Sequence, residues 1–183
     1  MLKLPFLLCA FILLIYLLLP GPSGIDDFPP LPNSLKSTLE GDTIQVKNVA
    51  GYFSNNYRQF VTNYYRRAFQ QKTWFPFAPL RLNYPPEYAY TVIKDQTHST
   101  YLEEYVYPLR ESLYVNGLEL YNQDGSPKFW GSTMFEQDSQ LFYTKATLRY
   151  YPSSYLIRLV TWLGIICSIA LFWNVSKKVL RDG

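Results

Sequence analysis

Between Tyr155 and Trp173 the chain reads YLIRLVTWLGIICSIALFW, and Lys177, Lys178 and Arg181 follow. An apolar run of this length leaves few folding options. The twenty residues from Leu156 to Val175 match the ~20 that a helix needs to cross ~30 Å of hydrocarbon. Apolar side chains surround the segment and leave no polar stripe, unlike a helix at the surface of a soluble domain. Arg158 is the only charge in that window, and a long side chain so near the end of a span can snorkel to the headgroups. The expectation is a transmembrane helix over residues 155–175 and a basic tail over 176–183.

A second apolar run, Leu4–Leu19, lies between Lys3 and Pro20-Gly21-Pro22. Its sixteen residues exceed the ~7–15 of a signal-peptide core, and no A-x-A pattern follows. Residues 4–20 therefore read as an uncleaved signal anchor, with cleavage near Ser23-Gly24 as the alternative. Pro5 suits a first helical turn, where its missing donor is not needed. Basic residues flank the two outer ends of the chain, whereas Asp26 and Asp27 follow the first run. The positive-inside rule then places both termini in the cytoplasm and the middle of the chain outside. Arg149 and Arg158 weigh the other way.

Residues 25–154 hold twelve Lys/Arg and thirteen Asp/Glu. The net charge of +3 thus comes from the ends, and no clustered basic face points to nucleic acid. Cys9 and Cys167 both fall in the apolar runs, so the middle domain relies on packing and not on disulfides. Two small buried apolar side chains is the simplest reading of those thiols. Fifteen of the seventeen tyrosines lie between Tyr52 and Tyr151. An apolar body with a polar tip suits strands, partner-facing surfaces and the membrane interface.

Along the chain, residues 21–42 are rich in Pro and Gly and read as an extended linker. The domain proper is expected over 43–152. Ile44 and Val46 allow a short strand over Thr43–Lys47. Val49, Phe53, Tyr57, Phe60, Tyr64 and Ala68 recur at three- and four-residue steps, which predicts one long helix over 49–70 with Asn48 as N-cap. Trp74–Pro86 carries four prolines and is excluded from a helix interior or a central strand. Pro86 opens a short helix, Glu87–Asp95, and Asp95–Thr100 is a polar loop. Antiparallel strands then follow. Tyr105, Tyr107, Leu109, Leu113 and Val115 alternate, interrupted by Pro108, which implies an edge or bulge; Asn116-Gly117 is the strongest hairpin signal, and Asp124-Gly125 marks another turn. Phe142, Thr144, Ala146, Leu148 and Tyr150 share one face of a last strand, which ends at Pro152-Ser153-Ser154. Tyr101–Tyr107 also fits a helix capped by Thr100. The fold class is α+β: a small extracytoplasmic domain, one long helix plus an antiparallel sheet, between two transmembrane helices. Only three residues separate the last strand from the second span, so that span is the rigid mount and the first a flexible tether.

Chemistry is sparse. His98 is the sole histidine, which disfavours a transition-metal site, and no cofactor motif occurs. Glu103, Glu104 and Glu111 are the carboxylates available for glycoside chemistry, which needs one on either side of the bond. Adjacent glutamates on a strand point to opposite faces, however. Tyr150, Tyr151, Tyr155, Arg158, Trp173, Lys177 and Lys178 are the expected membrane-interface residues.

The stretch YPPEYAYTVIKDQTHSTYLEEYVYPLRESLYVNGLEL, then TLRYYPSS and the terminal span, resembles uncharacterised small bacterial membrane proteins with an apolar helix at each end. That resemblance implies the two-anchor layout over most of the chain and assigns no activity or functional residue. The leading expectation is a membrane-anchored interaction or assembly module of the cell envelope. Its partners would be the lipid bilayer and an envelope protein or glycan. The alternative is an outer-leaflet enzyme acting on glycans or lipid-linked precursors, with His98, Glu103, Glu104 or Glu111 as acid or base.

Overall fold

The structure is a computed structural model that describes residues 3–94 and 98–182. Part of the expected polar loop, Asp95 to Thr97, lies outside the described residues. The chain forms two units, Gly21–Pro152 and a second made of Met1–Pro20 with Ser153–Gly183.

In chain order the elements are α1 (Lys3–Leu18), β1 (Ser34–Lys36), β2 (Val49–Ser54), α2 (Arg58–Lys72), β3 (Leu80–Tyr84), α3 (Ala89–Ile93), β4 (Tyr101–Val106), β5 (Ser112–Glu119), β6 (Phe135–Gln137), β7 (Gln140–Phe142), β8 (Thr144–Tyr151) and α4 (Tyr155–Asp182). Gly21–Pro152 is α+β. Its six-stranded antiparallel sheet has the order β1-β2-β8-β5-β4-β3, and β6 and β7 pair as a separate hairpin.

One face of the sheet is covered by α2. Val61, Tyr65 and Phe69 are fully buried, as are Leu113, Val115 and Leu148 beneath them. Phe69 meets Tyr107 at 5.2 Å and Tyr150 at 6.2 Å, and Tyr65 meets Tyr52 at 6.4 Å. These are offset or edge-on contacts of the kind aromatic pairs prefer. On the other face, Ala89 and Ile93 are buried, and Phe53 meets Phe135 at 5.4 Å and Phe142 at 6.3 Å.

Several expectations hold. Tyr101–Val106 is a strand and not the alternative helix. Thr144, Ala146, Leu148 and Tyr150 are buried on the same strand. Phe142 departs from that set, because it belongs to the hairpin and packs on Phe53. The proline-bounded stretch after Trp74 ends in β3, an edge strand as its prolines require, and Pro86 opens a helical turn that runs into α3.

Others are corrected. The single helix expected over 49–70 is a strand, a break and a shorter helix. All six residues of β2 are buried, so both faces are apolar and the strand lacks the alternation that marks a one-sided one. Asn48, the expected N-cap, instead has a left-handed backbone with φ 56°. Thr43–Lys47 is not a strand: Ile44 is 81% exposed and follows a helical turn at Glu40–Asp42. Asn116-Gly117 does not turn. Both residues lie inside β5, paired with Leu102 and Tyr101. A Cβ on Gly117 would stand 2.2 Å from the Tyr101 ring, so the glycine serves to let that ring lie flat across the strand. The actual tight hairpin is Asp138-Ser139, with φ 48° and 61° between β6 and β7, the doubly left-handed geometry of a type I′ turn. The Pro-rich segment is no loose linker: Phe28 and Leu31 are buried, Phe28 lies 5.3 Å from Tyr150, and β1 pairs with β2.

In the other unit, among the described residues, one helix is long and apolar enough to cross a membrane, Tyr155–Arg181; α1 is apolar but shorter. Ser154 begins it as expected, accepting from Ile157 N–H at 3.3 Å. The helix continues through the basic residues to Asp182. Arg158 does not snorkel free. It is 4% exposed and donates to the Leu17 and Leu19 carbonyls at 3.2 and 3.3 Å and to Ser153 Oγ at 2.8 Å. A guanidinium thus satisfies carbonyls left over at the C-terminal end of α1, where a cation is also favoured by the helix dipole. Trp162 Nε1 donates to the Ala10 carbonyl at 2.8 Å, and Cys9 and Cys167 are exposed and free.

Candidate functional site

The most heavily charged cluster of the sheet unit forms around Glu103 in β4. This side chain is fully buried, and its carboxylate is surrounded by donors. Arg81 approaches in bidentate fashion, Nη2 to Oε1 at 2.6 Å and Nε to Oε2 at 2.8 Å. Arg58 Nε donates to Oε1 at 2.9 Å, and the Tyr105 hydroxyl to Oε2 at 2.7 Å. Burial pushes the Glu103 carboxyl up, but the hydrogen bonds from Arg81, Tyr105 and Arg58 outweigh it and hold the group below the usual carboxylate range. Burial and the Glu103 carboxylate together push the Tyr105 phenol well up.

Arg58 is placed by the start of α2. No local side chain caps that helix. The Arg58 N–H instead donates to Glu119 Oε1 at 2.5 Å, so a carboxylate sixty-one residues away meets the positive end of the helix. Glu119 also pairs with Lys128 Nζ. Arg58 Nη2 continues to Asn83 Oδ1 at 2.6 Å, and its guanidinium lies 5.4 Å over the Tyr101 ring. Above this cluster is an open groove of about 450 Å³, lined by Arg58, Arg81, Glu119 and Lys128 together with the polar side chains of Tyr57, Gln59, Asn63 and Asn122. Counting Glu103 beneath, three cations face two carboxylates.

The sequence candidates are scattered. Glu103 and Glu104 point to opposite faces, as adjacent strand residues must. Glu104 accepts from the Tyr84 hydroxyl at 2.7 Å on the far side, and that bond with burial raises the Tyr84 phenol to about 12. Glu111 is at the other end of the sheet, paired with Arg110 at 2.7 Å, both side chains fully buried. His98 is exposed before β4. These four side chains therefore do not converge. Tyr150 is a core residue whose hydroxyl donates to the Pro22 carbonyl at 2.8 Å, not an interface residue. Tyr151 is 39% and Tyr155 54% exposed. Trp173 is exposed with Lys177 Nζ 4.9 Å over its ring, and Lys178 is exposed.

Arg58, Arg81, Glu119 and Lys128 were not legible as a group. One signal exists: an arginine in a first helical turn opposes the helix dipole and so calls for an acidic partner. No known protein-family model, characterised protein or solved structure matches this chain.

Proposed function

We propose that the chain is a membrane-anchored interaction or assembly module of the cell envelope, with the Gly21–Pro152 unit outside and both termini in the cytoplasm. The groove over Arg58 and Arg81 carries this reading. Its buried carboxylate is already neutralised by two guanidinium groups and a phenol, so it has neither a proton to give at neutral pH nor a lone pair to spare. What remains open is a set of amides, guanidinium edges and a hydroxyl, beside the paired Glu119 and Lys128. These recognise a polar surface, protein or glycan, and supply no acid–base pair. The apolar outer surface of Tyr155–Arg181, with Leu156 71% and Phe172 74% exposed, supports the membrane placement, since contiguous apolar surface of that extent calls for lipid or a partner.

Two measurements test it. In a Cys9→Ala, Cys167→Ala chain, an impermeant thiol label is expected to reach Ser126→Cys in intact cells and not Ser176→Cys; the reverse pattern inverts the topology. A photo-crosslinker in place of Gln59, in the groove, is expected to give a discrete adduct that one at Ile44 does not. Equal yields at both positions refute the groove as the contact surface.

A further inference from the structure

The Gly21–Pro152 unit places both of its covalent exits at one end of the sheet. β8 finishes at Tyr151, opposite Ser112 at the start of β5. Gly21 also arrives there: a Cβ on it would stand 2.7 Å from Glu111 Oε1 and 3.0 Å from Arg110 Nη2. Two further segments share this end. One is the β4–β5 turn at 107–111. The other is the stretch from Thr73 to Pro79, because Leu80 at the start of β3 faces Val106 at the end of β4. These two segments turn apolar side chains outward. Trp74 is 76%, Phe77 50% and Leu109 52% exposed.

The exposure is built, not loose. Phe75 is buried and ties the first segment down, 4.8 Å from Tyr107 and 5.1 Å from Phe77, with the Arg110 guanidinium 4.7 Å over its ring. The Tyr107 hydroxyl donates to the Phe77 carbonyl at 3.1 Å. The second segment is a turn closed by Arg110 N–H donating to the Tyr107 carbonyl at 3.0 Å, with Pro108 first of its two central residues. Leu109 is the second, at φ 63°. Turns of this type put Gly or Asn there, because a branched side chain is strained at positive φ. An exposed leucine held in strained backbone at a turn tip has no role in the core of the unit, and strain of this kind collects at ligand contacts.

We propose that Trp74, Phe77 and Leu109 insert into the boundary between headgroups and acyl chains of the bilayer, as a fixed interfacial foot of the domain. The occupant follows from the covalent path: the chain enters and leaves the unit at this end, at Gly21 and Pro152, each about three residues from an apolar helix. Trp and other amphipathic aromatics favour that boundary. This inference rests on the reading that Tyr155–Arg181 spans a bilayer.

The four tryptophans allow a test in which the two claims fail separately. Full-length chains that keep one tryptophan each, the others replaced by Phe, are placed in phosphatidylcholine–phosphatidylglycerol vesicles containing lipid brominated near the headgroup or deep in the acyl chains. The Trp162 chain is expected to be quenched by deep bromine, and the Trp74 chain by shallow bromine, to at least half the extent seen for Trp162. The Trp130 chain is expected to stay unquenched, although its side chain is fully exposed, because it follows Lys128, which pairs with Glu119 at the far end of β5. Quenching of Trp162 with Trp74 no more affected than Trp130 overturns the foot and leaves the span. No quenching of Trp162 overturns both. Leu109→Asn, which suits positive φ, is expected to keep or raise the thermal midpoint while reducing Trp74 quenching. A drop in stability with unchanged quenching assigns the leucine to folding and overturns its part in the foot.

Discussion

Replacing Glu103 by Gln tests the centre of the groove. The substitution keeps the shape, removes the charge and turns one acceptor oxygen into a donor facing a guanidinium. Four hydrogen bonds reach the carboxylate, three of them from Arg58 and Arg81. Removing one member of a buried ion pair costs about 3–5 kcal/mol. Here the Arg58 and Arg81 side chains are 40% and 48% exposed, so water takes over part of their solvation, and about 2–3 kcal/mol is expected. Against the roughly 5–15 kcal/mol of a typical domain, that is readily measured by urea denaturation, as a lower midpoint with unchanged slope. The pH dependence adds a check of sign. Glu103 has a depressed folded-state pKa, so its contribution is present above the unfolded value near ~4.3 and is lost as pH falls through the folded value. The gap between parent and Glu103→Gln is therefore expected to be constant around neutral pH and to close below about pH 4. Glu87→Gln, an exposed control, is expected to change nothing. A Glu103→Gln midpoint equal to the parent at neutral pH, or a gap that persists unchanged in acid, refutes the account of a carboxylate held ionised by two arginines.

Three other outcomes follow from single contacts. Gly117→Ala drives a Cβ into the Tyr101 ring at 2.2 Å and is expected to destabilise the sheet unit by about 1–3 kcal/mol, as overpacking does; Tyr101→Ala in the same chain is expected to remove the clash, so that the two changes are non-additive in denaturation. Glu104→Gln removes the first cause of the raised Tyr84 phenol and is expected to bring its titration down from about 12 toward the ordinary tyrosine value, read as the difference in phenolate absorbance between chains with and without Tyr84→Phe. Arg158→Leu leaves the Leu17 and Leu19 carbonyls without their donor and is expected to lower the thermal midpoint of helix loss in detergent, although it makes the segment more apolar. An unchanged or higher midpoint would mean that water or lipid headgroups serve those carbonyls equally well.

Legibility in the sequence followed the range of the forces involved. β8 stood out because its residues 144–150 alternate against a core, and the membrane-length helix because a mainly apolar run of twenty residues leaves few alternatives. β2 was hidden because it is buried on both sides, and its Val49 and Phe53 happen to sit at helical spacing from Tyr57 and Phe60. Asn116-Gly117 misled because its glycine answers a cross-strand tyrosine and not a turn, while Asp138-Ser139 turns without the glycine that would have marked it. Phe28 and Leu31 in the Pro-rich stretch were hidden by composition; they reach the core although prolines surround them. The groove was least legible. Arg58, Arg81, Glu103 and Glu119 come from four elements, and the bond that seats Arg58 spans sixty-one residues, which no local pattern records.

The proposed foot and the groove lie at opposite ends of the sheet. β5 runs eight residues from Ser112 to Glu119, roughly 23 Å at ~3.3 Å per residue. Trp74, Phe77 and Leu109 mark the Ser112 end, and Glu119 with Lys128 marks the groove end. If the foot proposed above holds the Ser112 end in the headgroup region, the groove at the other end of the strands is held away from it. On that proposal the groove is met from the aqueous side, by a protein or an extended glycan and not by a short lipid-linked precursor. The sheet that buries Glu103 beneath its arginines then also sets what the groove meets, and the crosslink from Gln59 tests this by the identity of its adduct. Adducts to lipid from this position would contradict both the orientation and the foot that fixes it.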